Sequence, residues 1–214
     1  MQLTPSLLPE LISAISQVID NNAEEVTLLD QAIGDGDHVI NMQRGLQALN
    51  AQAAQLTELD WAAAWQKIGM TVMSTVGGAS GSLYGTLFVS MSKAAREKTV
   101  DFSVFATAFG QGVESVKQRG KSDAGEKTML DVLIPVANAL TQAAADAVPL
   151  SEVFQTLPDV AIAGMESTRD MLATKGRASF LEERSRGCID AGAKTAQLMI
   201  CTIVALLAEQ LKTE

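Results

Sequence analysis

Asp30, Asp35, Asp37 and His38 fall within nine residues, in the run Leu29-Asp30-Gln31-Ala32-Ile33-Gly34-Asp35-Gly36-Asp37-His38, and His38 is the chain's only histidine. Three carboxylates this close cannot be buried unpaired, because each would cost several kcal/mol. A plain surface loop has no need of two glycines alternating with two aspartates. Short acidic side chains on a tightly turned backbone suit a hard cation, and a hard cation commonly accompanies phosphate. Helix capping, worth about 1 kcal/mol, explains one aspartate but not three. Asp35 and Asp37 are two apart, so an extended turn points both the same way. An EF-hand is excluded: counted from Asp35, a ligand position falls on Val39, and no bidentate glutamate closes the loop. Carboxylates without cysteine partners favour Mg²⁺ with positions left open for water or phosphate.

Two further segments carry unusual chemistry. Gly77-Gly78-Ala79-Ser80-Gly81 reads either as a tight turn with a glycine cap or as a phosphate cradle at a helix N-terminus. The standard nucleotide signatures fail. Val39 stands at the last glycine of a GxGxxG motif, and Ser115 at the first glycine of a Walker motif ending in Gly120-Lys121-Ser122. The loop through 175–192 is long enough to be a lid. It sets Lys175, Arg177, Arg184 and Arg186 against Glu182 and Glu183, in a chain of net charge -9. A positive loop in an acidic protein suits phosphate contact, with a solvated basic loop as the alternative. His38, beside Asp37 and without a serine or cysteine nucleophile motif, suits ligand contact better than triad chemistry.

The remaining sequence must position these residues. The chain has 214 residues, 47% hydrophobic and only 4% aromatic, so its core is aliphatic and mostly helix-compatible. Helical periodicity recurs eight times. Leu8, Leu11, Ile12, Ile15 and Ile19 follow a Thr4-Pro5 start signal. Val39, Met42, Leu46 and Leu49 form a second stripe, and Trp61, Trp65, Ile68, Val72 and Met73 a third, with the β-branched run 71–76 as its weakest part. Tyr84, Leu87, Phe88 and Met91 make a fourth. Asp101 caps a fifth, with Phe105, Phe109 and Val113 inward. The sixth starts near Thr128, the seventh near Ser151 and the eighth near Asp190; Pro135 and Pro158 imply kinks or later starts. Strands are not expected.

In an up-and-down array the loops 1–2, 3–4, 5–6 and 7–8 share one end. They hold the aspartates with His38, the glycine turn, residues 119–128 and the basic loop. The opposite loops, at about 51–59, 94–101 and 145–150, are chemically bland. The expected fold is therefore all-α, an antiparallel up-and-down eight-helix barrel or bundle, one domain over residues 1–214, with a composite site at one end.

Acidity argues against nucleic-acid binding. Cys188 and Cys201 have no ligand spacing, which points to a reducing, cytoplasmic setting. Residues 1–6 lack a basic leader region and no run approaches 18 apolar residues, so no membrane segment is expected.

Taken together, the acidic run, Asn41-Met42-x-Arg44-Gly45, Gly77-Gly78-Ala79-Ser80-Gly81, Gly125-x-Lys127-Thr128-Met129-x-Asp131 and Gly176-Arg177-Ala178-Ser179 resemble the DhaL family. These are nucleotide-binding subunits or domains of dihydroxyacetone kinases, and the resemblance covers essentially the whole chain. It implies an eight-helix barrel with ADP or ATP and two Mg²⁺ ions at one end, the ions ligated by Asp30, Asp35 and Asp37. It places His38, Val39, Ile40, Asn41, Ala79, Ser80, Gly120, Met129, Arg177, Asp190, Ala191 and Gly192 at nucleotide-contact positions. Asp30, Asp35, Asp37 and Arg177 form the implied catalytic set. A standalone chain resembles the phosphotransferase-system type, in which bound ADP acts as a coenzyme. The implied partners are a phosphohistidine donor M subunit and a K subunit that binds dihydroxyacetone; a homodimer stays open. Two positions depart from the family pattern: Val39 replaces a glycine, and Asp190-Ala191-Gly192-Ala193 replaces Asp-Pro-Gly-Ala. The rival readings are an ATP-exchanging component for another acceptor, such as a fatty-acid kinase, and a helical adaptor without nucleotide.

Overall fold

The computed structural model describes residues 4–213, which form helices and turns with no strand among them. Residues 1–3, part of the segment read for a leader, lie outside the described residues. The helices are α1 (Leu8–Asn21), α2 (Ala23–Ile33), α3 (His38–Asn50), the single turn α4 (Ala53–Leu56), α5 (Trp61–Thr75), α6 (Gly78–Ala95), α7 (Phe102–Gly120), α8 (Leu130–Ala145), α9 (Leu150–Ser167) and α10 (Ala191–Thr213). Packing runs from α1 to α3, then α5, α6, α7, α8, α9 and α10, and α10 returns to α1, so the contacts close a ring.

Apolar stripes drive that closure. Ile12, Ile19, Met42, Leu46, Trp65, Ile68, Leu87, Met91, Val113, Val116, Leu133, Val136, Leu157 and Val204 all face one buried cluster. Each such side chain contributes roughly 1.5–3 kcal/mol by leaving water. Trp61, Trp65, Phe105 and Phe109 continue as a ladder from α5 to α7, with successive ring centroids 5.3, 6.2 and 6.1 Å apart. Aliphatic and aromatic side chains at the centre line an apolar cavity of about 290 Å³.

Several elements differ from the sequence expectation. The first stripe is broken at Asn22, whose side-chain amide donates to the Val18 carbonyl at 2.8 Å and ends α1. The chain then restarts as α2, so Asp30 sits in the last turn of a helix and only residues 34–37 form the loop. The β-branched run remains helical to Thr75, because Thr71 and Val72 are buried and tertiary packing outweighs weak propensity. The glycine turn is shorter than its sequence: Gly78 already opens α6. α8 begins at Leu130, so Pro135 lies in its second turn and withholds one bond of the ladder, the one to the Asp131 carbonyl. The stretch between α9 and α10 is not a plain loop; it contains 3₁₀ turns at Thr168–Asp170 and Arg177–Ser185.

The absence of a long apolar run did not capture α10. Its segment Ala191–Lys212 is long and apolar enough, by length and composition, to cross a membrane. Of the polar residues that interrupt it, Thr195 and Gln197 are buried, and it packs against α1, α2, α8 and α9. It is thus one member of the helical ring, with one face packed on its neighbours.

Candidate functional site

α2 ends where the acidic loop begins. Asp30 accepts the Gly34 N–H on its carbonyl at 2.5 Å and the His38 N–H on Oδ2 at 3.1 Å. The turn therefore folds back onto the Asp30 side chain. Gly34 makes this possible, since a Cβ there would stand 2.3 Å from Asp30 Oδ1. Gly36, with φ 77°, then reverses the chain in the left-handed region. Asp30, Asp35 and Asp37 each offer one carboxylate oxygen, and these atoms lie within 4.8 Å of one another. Ligands opposite each other across Mg²⁺ are about 4.2 Å apart, given bonds of about 2.1 Å. The donor set and its spacing thus fit one hard cation after small side-chain adjustments.

His38 opens α3 and faces α6 and α10. Its Nε2 lies 3.0 Å from Thr195 Oγ1, and its Nδ1 lies 3.3 Å from Ser80 Oγ. The Thr195 hydroxyl donates to the Gly192 carbonyl at 3.1 Å, so toward His38 it accepts. Nε2 therefore carries the proton, and Nδ1 accepts from Ser80. Burial lowers the imidazole pKa and outweighs the opposing pull of Asp30 and Asp37, which keeps the ring neutral. His38 thus aims the Ser80 hydroxyl rather than supplying a charge. Beside it, Asn41 is buried against Gly77, where a Cβ would stand 2.4 Å from Asn41 Oδ1.

The connection from α7 to α8 is organised by one buried carboxylate. Asp131 accepts the Gly125 N–H at 2.5 Å and the Thr128 N–H at 2.8 Å. The two residues between are thereby pointed in set directions. Glu126 accepts from the Asp123 N–H at 2.7 Å and the Thr174 hydroxyl at 3.0 Å, and pairs with Lys175 at 3.3 Å. Desolvation pushes the Glu126 carboxyl up, but these donors outweigh it and hold its pKa down at about 2. Lys127 is buried beneath the basic stretch. From there Arg177 reaches across, its Nη2 2.8 Å from Asp35 Oδ2. Asp190 caps α10 by accepting the Ala193 N–H at 2.8 Å; burial raises its pKa to about 6 against the pull of that N–H and of Lys127.

These parts line one open cavity of about 420 Å³. Asp30, Asp35, Asp37, His38, Asn41, Ala79, Ser80, Gly120, Met129, Arg177, Asp190, Ala191 and Gly192 all contribute to its wall. Val39 and Ile40 do not. Val39 points inward into a small buried cluster with Val26 and Ala191, and Ile40 is 59% exposed on the outer face. The two departures from the family pattern, at 39 and 191, therefore share one cluster. Ser82, Arg119, Lys127 and Thr128 also line the cavity, and sequence reasoning gave them no individual role. The motif at 125–131 was visible, but the direction of each side chain depends on the Asp131 bonds.

A model of the DAK2 domain matches residues 32–205. The ADP-binding subunit DhaL of PEP-dependent dihydroxyacetone kinase 1 from Listeria innocua is 45% identical over 181 residues, covering 85% of this chain and 86% of that one. The chain belongs to the DhaL family. The Escherichia coli DhaL, the ADP-binding subunit of a PEP-dependent dihydroxyacetone kinase, is 33% identical and aligns over 98% of this chain and 100% of its own length. The fold matches the dihydroxyacetone kinase from C. freundii, whose crystal structure is a complex with AMP-PNP and Mg²⁺. There the TM-score is 0.71 at 22% identity, and the match covers 98% of this chain and 35% of that chain. DhaL subunits thus occur as chains of this length, and the same fold forms about a third of that larger kinase.

Proposed function

We propose that this DhaL chain is the nucleotide-carrying subunit of a dihydroxyacetone kinase, acting as one nucleotide-binding domain in the cytoplasm. In this reading ADP with two Mg²⁺ ions, when bound, supplies the phosphoryl carrier between a phosphohistidine donor M subunit and dihydroxyacetone on a K subunit. The observation that carries it is the convergence of three carboxylates, the glycine turn and Arg177 on one cavity.

Phosphoryl transfer needs positioning and charge neutralisation more than covalent help. Asp30, Asp35 and Asp37 would hold the metal. Gly78, Ala79 and Ser80 at the start of α6 line the cavity, and a helix N-terminus favours anions. Ser80, aimed by His38, adds a hydroxyl. Asn41, Gly120, Met129 and the segment 190–192 would frame the rest of the nucleotide. Arg177 would screen the phosphates from solvent and offset their charge.

Dihydroxyacetone phosphorylation, measured with added K and M subunits, tests this. Phosphoenolpyruvate is expected to drive turnover with sub-stoichiometric nucleotide. Turnover that requires a stoichiometric supply of ATP would overturn the coenzyme role, and protein that never retains nucleotide would overturn the whole reading.

A further inference from the structure

Lys127 is 2% exposed, and its ammonium lies under the two ends of the stretch between α9 and α10. Nζ donates to the Thr168 carbonyl at 2.5 Å, to the Cys188 carbonyl, and at 3.5 Å to the Arg169 carbonyl. An ammonium has three protons, and all three are taken by carbonyl oxygens. Lys127 is therefore not a phosphate ligand, although it lines the cavity wall.

Two of those acceptors belong to the residues that follow α9, where the helix dipole makes a cation favourable. The third comes from the far end of the same stretch, just before α10. The two ends also bond to each other. The Gly187 N–H donates to the Arg169 carbonyl at 2.8 Å, and the Asp190 N–H to the Thr168 hydroxyl at 3.1 Å. The Ala173 N–H donates to Ser185 Oγ at 3.0 Å, and the Arg186 guanidinium reaches the Asp170 carbonyl. Residues 168–190 are thus a strap with a pinned base, and its outer part carries Arg177 to Asp35 at the cavity mouth.

We infer that Lys127 is a positioning residue, a buried clasp that joins both ends of the strap and so holds Arg177 over the cavity. This rests on the reading of the cavity as a nucleotide site. Without the clasp, the Cys188 carbonyl loses its ammonium donor, and the Thr168 and Arg169 carbonyls keep only the Met171 and Gly187 N–H groups. The strap then opens locally more often, and bound nucleotide escapes more readily. The effect passes through the strap, since Lys127 itself has no proton left for a ligand.

The test uses the full chain as wild type, Lys127→Met and Lys127→Arg. Tryptic cleavage at Arg177, Arg184 and Arg186 is followed by mass spectrometry without nucleotide, and release of fluorescent ADP is followed by stopped flow with Mg²⁺. Lys127→Met is expected to be cut in the strap about ten-fold faster and to release ADP about ten-fold faster, with helix content unchanged. Lys127→Arg, which restores several donors, is expected to recover most of both losses. Wild-type rates for Lys127→Met, or cleavage spread evenly over all helices, would overturn the clasp. If Lys127→Met does not fold, hydrogen exchange of the wild type decides. The Gly187 and Asp190 amides are expected to exchange as slowly as those within α9, and fast exchange there would overturn it. Failure of wild-type protein to bind ADP would count against the nucleotide reading, while strap cleavage and exchange would still judge the clasp.

Discussion

Arg177 Nη2 lies 2.8 Å from Asp35 Oδ2, linking the strap to the acidic loop across the mouth of the cavity. The arginine side chain is 72% exposed and the aspartate 33%, so the pair adds little stability, about 0–1 kcal/mol at most. Its value is positional. The same guanidinium that meets a carboxylate here stands where phosphate oxygens would need a planar donor. Arg177→Ala is expected to leave unfolding stability within about 0.5 kcal/mol. It is expected to weaken Mg²⁺–ADP binding about ten-fold or more, the scale of losing one charge-assisted contact. Denaturant titration and calorimetric binding check the two halves separately.

Metal dependence follows from the three carboxylates. Without a cation, Asp30, Asp35 and Asp37 would repel a diphosphate. Purified protein is expected to carry ADP through gel filtration and to lose it in excess EDTA, read as a fall in the ratio of absorbance at about 260 to about 280 nm. Asp35→Ala is expected to lose nucleotide with its circular dichroism unchanged. ADP retained in EDTA, or by Asp35→Ala, would reduce the cluster to capping.

Gly34 offers a substitution aimed at Asp30 alone. An alanine Cβ would stand 2.3 Å from Asp30 Oδ1 and 2.8 Å from its carbonyl oxygen. The carboxylate must turn away, and the His38 N–H loses its acceptor. Gly34→Ala is expected to cost about 1–3 kcal/mol and to weaken Mg²⁺-dependent ADP binding. A variant that binds normally would show that the Asp30 side chain is dispensable there.

Acid sensitivity should report Glu126. Its folded pKa of about 2 lies below the ordinary value of 4.5, so the folded state prefers the charged form. The contribution is complete above the ordinary value and is lost as pH falls through about 2. Glu126→Gln is expected to be less stable than wild type at neutral pH, with the difference shrinking steadily below pH 4.5. Urea unfolding across that range measures it; a constant difference would mean the carboxylate charge is not what ties 174–175 to the α7–α8 connection.

Val39 and Ala191 test whether the two family departures are packing choices. Val39 is 3% exposed among Val26 and Ala191. Val39→Ala is expected to cost about 1–2 kcal/mol through the cavity it leaves. Ala191 is the first residue of α10 after its Asp190 cap, where proline is well tolerated. Ala191→Pro alone is expected to stay within about 1 kcal/mol of wild type, and ADP affinity is expected to hold in both. Loss of binding in Val39→Ala would show instead that residue 39 shapes the nucleotide site.

Local periodicity and side-chain chemistry determined much of this protein. The apolar stripes specified an all-helical chain, because each helix must bury one face. The Asp101 cap is legible because its acceptor lies three residues from Val104, whose N–H it accepts at 2.8 Å. The unusual density of Asp30, Asp35 and Asp37 marked a candidate cation site, since no core or cap needs three carboxylates together. Loop parity brought the glycine turn, Gly120 and Arg177 to the same end. Tertiary contacts decided the rest. Nothing local says that Val39 turns inward while His38 faces Ser80 and Thr195, because a helix start can rotate either way until its neighbours pack. Nothing local distinguishes Lys127 from a phosphate-binding lysine. Its role is set by the carbonyls of Thr168, Arg169 and Cys188, more than 40 residues away in sequence. A buried ammonium takes its function from whichever acceptors the fold delivers to it, and only the closed ring of helices delivers these.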